Sequence, residues 1–235
     1  MAPQRHHAPT STFGRILLFA AQFMCAASAF ISFAVIVIAP PAHARPSAPV
    51  TAGDVIVQDG TRCTLGYVYR VSGHTLGVSA GHCATPDAGL PVENRDAGVT
   101  GRTISISFTP GKDGRPPSKD WWLIDFGDVP WSDRIANTNY KVLTYVNARE
   151  SDWVCHFGVG SKREICGFVS KVDNPLVTVT QTGQAGDSGG PIYIKLTDEL
   201  VAMVGLWQGH FNKPYPGGYA MSLPAVLDSF RNNNS

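Results

Sequence analysis

Two short stretches, far apart in the chain, carry side chains suited to acyl transfer. Gly186-Asp187-Ser188-Gly189-Gly190-Pro191 surrounds a serine with residues that permit a tight turn. A nucleophilic serine needs its hydroxyl exposed at such a turn, and it needs backbone N–H groups aimed at the oxygen that becomes negative. Ser-Gly-Gly alone reads as an ordinary turn between strands, whereas six residues in this order are far more specific. The hydroxyl also requires a base, and Ser79-Ala80-Gly81-His82-Cys83 offers His82 directly after an apolar run at 75–79. A histidine there is by itself an unremarkable surface or core residue, and only the company of Ser188 gives it a role. His74, His156 and His210 lack a comparable setting. A third group, a buried carboxylate, would orient the imidazole and stabilise its charged form. Asp120 and Asp125, both within Asp120-Trp121-Trp122-Leu123-Ile124-Asp125-Phe126, compete for it.

The elements that must position these groups read as strands. Short runs rich in Val, Ile, Tyr and Thr recur at 55–57, 64–71, 75–79, 99–108, 142–147, 168–172, 176–180, 191–194 and 201–206, broken by turn residues. The 24 glycines and 17 prolines are spread along the chain, which suits many short strands better than long helices. A helical apolar period emerges only at 223–230, predicting one short terminal helix. The pattern implies an all-β barrel or sandwich. A loop at 109–117 precedes Asp120, and Ala136-Asn137-Thr138-Asn139 reads as a linker, dividing the chain into halves at 45–136 and 137–235.

Residues 1–44 are set aside as a targeting segment: Arg5 and Arg15 lead an uncharged run at 16–38, followed by Pro40-Pro41 and the small-x-small Ala42-His43-Ala44. Cleavage before Arg45 yields a secreted, extracellular protein, while retention of the run, long enough to span a bilayer, leaves the chain anchored at the cell envelope. Of the five cysteines, Cys25 lies in that segment, and Cys63, Cys83, Cys155 and Cys166 remain in a compartment where disulfides persist. Three pairings are open, of which the local one, Cys63 with Cys83 and Cys155 with Cys166, closes two short loops. No C-x-x-C knuckle supports zinc. Lys plus Arg number 19 against 18 Asp plus Glu, and no basic stripe suits nucleic acid. The expected partner is a peptide or protein substrate, bound by a monomer that needs no metal or organic cofactor.

Ala80-Gly81-His82-Cys83 and Gly186 to Pro191 resemble the two signature motifs of chymotrypsin-like serine proteases. Arg62-Cys63-Thr64-Leu65-Gly66-Tyr67, Val154-Cys155 and Cys166-Gly167-Phe168-Val169 are similar to the bacterial streptogrisin branch. The likeness runs from about residue 50 to the C-terminus. It implies two six-stranded antiparallel β-barrels of the chymotrypsin type with a short C-terminal helix, the first carrying His82 and Asp120 and the second Ser188. In that family the triad aspartate opens a strand of the form Asp-x-x-Leu-Ile, which selects Asp120 and leaves Asp125 as a solvated strand residue. The resemblance further implies an oxyanion hole from the amides of Gly186 and Ser188.

By the same resemblance, Thr182 forms the uncharged floor of the primary specificity pocket, walled by Gln208, Gly209 and His210 and by 217–219. This argues against Lys/Arg selectivity and favours apolar or small side chains. Some glutamate-selective relatives carry a histidine on this strand, where the present chain has Trp207. Only 45–49 separates the expected signal cleavage from the first strand, so the long pro-region usual in streptogrisins is missing. Val50-Thr51-Ala52-Gly53 faintly resembles the cut N-terminus that, in trypsin-like members, pairs with the aspartate before the nucleophile, here Asp187. The rival reading is a secreted binding protein that keeps the protease fold without activity. An α/β-hydrolase esterase is disfavoured, because the order here is His, Asp, Ser and the serine motif is not Gly-x-Ser-x-Gly.

Overall fold

The computed structural model describes residues 48–86, 89–211 and 217–232. The expected targeting segment at 1–44, with Cys25 and the cleavage point at Arg45, lies outside the described residues. Among the described residues, no helix is long and apolar enough to cross a membrane.

After a first short strand, β1 (Val50–Ala52), the chain builds a sheet from β2 (Val55–Gln58), β3 (Thr61–Thr64), β4 (Tyr67–Val71), β5 (His74–Ser79), β6 (Pro91–Asn94), β7 (Val99–Thr109) and β8 (Lys119–Asp125). Their order is β3-β2-β6-β7-β8-β5-β4, all antiparallel. The run expected as one strand at 64–71 is two, broken at Leu65-Gly66. A Cβ at Gly66 would collide with the carbonyl oxygen of Gly189 and with Leu206, so the chain turns here against the serine loop.

The second sheet holds β9 (Trp131–Ile135), β10 (Lys141–Tyr145), β11 (Trp153–Phe157), β12 (Glu164–Asp173), β13 (Leu176–Val179), β14 (Pro191–Lys195), β15 (Leu200–His210) and β16 (Gly218–Ser222). The order is β1-β9-β10-β15-β14-β11-β12-β13-β16, and a further β15–β16 pairing closes the six strands from β11 to β16 into a barrel. The expected chymotrypsin-type architecture is therefore present, with one closed six-stranded barrel. The first half, by contrast, is a seven-stranded half-barrel: β3 and β4 form its two edges, because Leu65-Gly66 diverts the chain toward the other sheet.

The half-barrel packs Ile56, Leu65, Val68, Val92, Trp122 and Ile124 inside, and the closed barrel packs Val154, Val169, Val177, Ile192, Val204 and Trp207. A third cluster joins the sheets through Val78, Trp121 and Leu123 from one and Leu206 and Met221 from the other. It extends under the terminal helix α1 (Leu223–Asn232), which buries Leu223, Val226, Leu227 and Phe230. Those positions recur at three- and four-residue intervals, the spacing that puts one helix face on a core.

Candidate active site

His82 sits in a single 3-10 turn, Gly81–Cys83, at the end of β5. A Cβ at Gly81 would meet Ser107 O at 2.8 Å and Trp121 N at 2.9 Å, so glycine lets this turn lie flat against β7 and β8. The Cys63–Cys83 disulfide ties the turn to β3. Both expected bridges are formed, and Cys155–Cys166 joins directly opposed residues of β11 and β12.

β8 is buried from Asp120 to Asp125, with a carboxylate at each end of an apolar run. Asp120 is 0% exposed. Its Oδ2 accepts from Nδ1 of His82 at 2.7 Å, and its Oδ1 accepts from the His82 backbone amide at 2.8 Å. One carboxylate thus fixes both the ring and the backbone of the same histidine. The ring remains accessible, with 31% of the side chain exposed, and Phe108 flanks it at 6.2 Å between centroids. The Asp120 carbonyl accepts from Nε2 of Gln208 at 2.9 Å.

Asp125 departs from its expectation as a solvated residue. It is 5% exposed, accepts from Nδ1 of His74 at 3.0 Å, from Arg102 at 3.0 Å and from the Gly127 amide at 2.8 Å. Burial pushes its pKa up, but those hydrogen bonds outweigh it and hold the pKa below the usual value. β8 is covered on both faces, so neither of its terminal carboxylates faces open solvent. Asp125 serves a separate His74–Arg102 cluster at the opposite end of the strand from Asp120.

The serine loop is moulded by two left-handed glycines, Gly186 at φ 98° and Gly189 at φ 83°, conformations that L side chains rarely adopt. A Cβ on Gly189 would meet Ala80 N at 2.8 Å, so the loop is pressed onto the strand end that leads into His82. Among the described residues, the amides of Gly186 and Ser188 donate to no protein acceptor, while their neighbours Asp187, Gly189 and Gly190 do. Unspent N–H groups on either side of Asp187 are the kind of donor an oxyanion site needs. The Ser188 hydroxyl donates to the carbonyl of Gln208 at 3.3 Å rather than to the His82 ring.

Asp187, 0% exposed, is held beneath the loop. Its carboxylate accepts from the Ser161 amide at 2.7 Å, the Gln184 amide at 2.8 Å and the Ser161 hydroxyl, and His156 Nε2 lies 3.5 Å away. Burial raises its pKa, but His156, Ser161 and Gln184 together draw it down to about 2. In the uncut chain these partners, and not Val50, hold Asp187. Val50 is buried in β1, and its amide donates to Pro130 O at 2.9 Å.

Of the expected pocket residues, Thr182 and His210 are exposed and Gly209 is half-buried. The Gln208 side chain turns inward to Asp120. Three residues given no role by the sequence have one here: Thr64, which bonds the serine loop, and the stacked pair His156 and Trp207. Thr64 follows Cys63 in a motif already singled out, whereas nothing local marks His156.

No family model matches the chain. Rv1815 of Mycobacterium tuberculosis, described as an uncharacterized protein, is 32% identical over 170 residues, covering 67% of this chain and 72% of Rv1815. Among solved structures, Thermobifida fusca Protease A superposes with a TM-score of 0.60 at 20% identity, over 78% of this chain and 97% of that one. A glutamic acid-specific serine protease described as using a histidine triad in substrate binding gives a TM-score of 0.62 at 18% identity, over 77% and 98%.

Proposed function

We propose that this chain, which belongs with Rv1815 of Mycobacterium tuberculosis to a family with the chymotrypsin-like serine protease fold, is a serine endopeptidase working through an acyl-enzyme. The observation that carries the reading is the double grip of buried Asp120 on His82, beside a serine loop whose Gly186 and Ser188 amides are unspent.

In this reading Ser188 Oγ attacks the scissile carbonyl while His82 Nε2 takes its proton. The carbonyl oxygen becomes an oxyanion held by the amides of Gly186 and Ser188, worth about 3 kcal/mol for each donor. His82 then passes the proton to the departing amine, leaving the acyl group on Ser188. Water repeats the cycle with His82 as base and frees the carboxylic acid. Asp120 holds the proton on Nδ1, so that Nε2 is the basic nitrogen, and it stabilises the imidazolium that forms. Each step is completed by side chains and backbone alone, so the reading calls for no metal or organic cofactor.

A second reading, a binding protein without activity, draws on the bond from Ser188 to Gln208. We place the protein outside the cell, where the bridges Cys63–Cys83 and Cys155–Cys166 would persist.

The test is digestion of a peptide library by the purified chain beside a Ser188→Ala variant. Cleavage by the parent that vanishes in the variant is expected. A folded parent that cuts no peptide would favour the binding reading.

A further inference from the structure

The expected floor of the primary specificity pocket, Thr182 with Gly183 after it, and its expected wall at 217–219 do not enclose an open slot. The indole of Trp207 lies between them and is 1% exposed. On one side, a Cβ at Gly183 would meet Cε2 and Cζ2 of the indole at 2.8 Å. On the other, a Cβ at Gly218 would meet Cζ3 at 2.7 Å and strike Cη2. Neither glycine has the left-handed backbone that by itself calls for glycine. The ring accounts for the missing side chain at both positions.

The indole is also held on its face and at its root. The imidazole of His156 stacks on it, with centroids 4.0 Å apart and planes 13° from parallel. His156 is itself fully buried, with Nε2 3.5 Å from Asp187 Oδ2. The Trp207 amide donates to Gly190 O at 2.8 Å and its carbonyl accepts from Gly189 N at 2.6 Å, which fixes the residue against the serine loop. The next residue, Gln208, receives the Ser188 hydroxyl on its carbonyl. The filled space therefore adjoins the candidate nucleophile.

We infer that Trp207 is a specificity-determining residue that fills the primary pocket, so that the enzyme cleaves peptide bonds following glycine, alanine or serine. This rests on the endopeptidase reading. A larger side chain has to displace an aromatic ring gripped by two glycines and a stacked histidine. Tightly packed interiors resist such intrusion, since they move discretely rather than yield. His210 is exposed at the end of β15 and leaves the role of pocket filler to Trp207.

The test compares kcat/KM for tetrapeptide anilides that differ only in the residue before the scissile bond, after fluorophosphonate titration of active Ser188. The parent is expected to prefer Ala or Gly over Phe, Leu, Glu and Lys on the order of 100-fold, the range that steric pocket discrimination reaches. Trp207→Ala is expected to move the preference toward Phe or Leu, and Trp207→Phe to shift it only part of the way. Parent enzyme that titrates with fluorophosphonate yet prefers Phe, Leu, Glu or Lys overturns the inference and leaves the endopeptidase reading intact. Parent enzyme that neither titrates nor cleaves any anilide overturns the endopeptidase reading, and the inference with it. If Trp207→Ala fails to fold, the parent profile and Trp207→Phe decide the matter.

Discussion

Thr64 clasps the serine loop across the boundary between the two sheets: its amide donates to Ser188 O at 2.9 Å, and its hydroxyl donates to Gly186 O at 2.7 Å. The same hydroxyl accepts from the Val159 amide at 3.0 Å, and the Thr64 carbonyl accepts from Ser79 Oγ at 2.8 Å. One residue thus connects β3, the end of β5 before His82, and the loop that carries Ser188. We predict that Thr64→Val, which keeps the shape and removes the hydroxyl, costs about 1–3 kcal/mol of stability for the polar groups left unpaired. It should also lower kcat more than it raises KM, because the Gly186 and Ser188 amides lose their fixed aim. Thermal unfolding and steady-state kinetics on the same preparation check both parts.

Asp120→Asn keeps the size of the side chain but reverses the demand on His82 Nδ1, because an amide NH2 cannot accept its proton. A fall in kcat of roughly 10^4-fold at neutral pH is expected, as for other triads that lose tautomer control. Asp125→Asn, at the far end of β8, should leave kcat within a few-fold of the parent, since its partners are His74, Arg102 and Gly127. Single-turnover acylation rates for the two variants separate the roles of the two carboxylates.

Two buried aspartates should tilt the pH dependence of stability in opposite directions. Burial lifts Asp54 to about 6 against the hydrogen bonds from Asn94 and Thr51. Between about pH 4 and 6 the native form keeps a proton that the unfolded chain releases, so its contribution falls as pH rises. Asp187, drawn down to about 2, stays ionised where the unfolded group is protonated, so its contribution is present above about pH 4 and is lost as pH falls toward 2. Asp54→Asn should therefore flatten the stability profile between pH 4 and 6, and Asp187→Asn should lower stability most above pH 4. Denaturant midpoints measured across pH 2 to 7 test both signs.

Removal of the Cys63–Cys83 bridge by a double substitution to serine should cost roughly 2–4 kcal/mol, the range for a loop of this length. Because Cys83 closes the turn that carries His82, a loss of kcat is expected even at temperatures where the variant is fully folded. The Cys155–Cys166 bridge lies between paired strands away from that turn, and its removal should lower the melting temperature without a comparable loss of kcat.

Strands β2, β4, β5, β7, β10 and β12 to β15, the terminal helix and the residues Ser188 and His82 were legible because each has a local signature, whereas β1, β3, β6, β9, β11 and β16 fall outside the expected runs. What escaped depends on contacts between distant segments. Asp125 read as solvated because its neighbours in sequence do not reveal that β8 is covered on both faces. His156 and Trp207 belong to β11 and β15, and their stack exists only once the barrel closes. The seven-stranded count of the first half depends on Gly66, whose lack of a side chain is explained by Gly189 and Leu206 from the other half of the chain. Asp187, which the resemblance sets against Val50 only after a cut before that residue, is engaged in the uncut chain by His156, Ser161 and Gln184.

The central claim is that Ser188 is a nucleophile activated by His82, and covalent labelling by a fluorophosphonate tests it most directly. Peptide mapping of the labelled chain is predicted to place a single stoichiometric adduct on Ser188, absent from Ser188→Ala and slowed at least 100-fold in His82→Ala. Folded parent protein that takes up no label, or a Ser188→Ala variant that labels equally well, would contradict it.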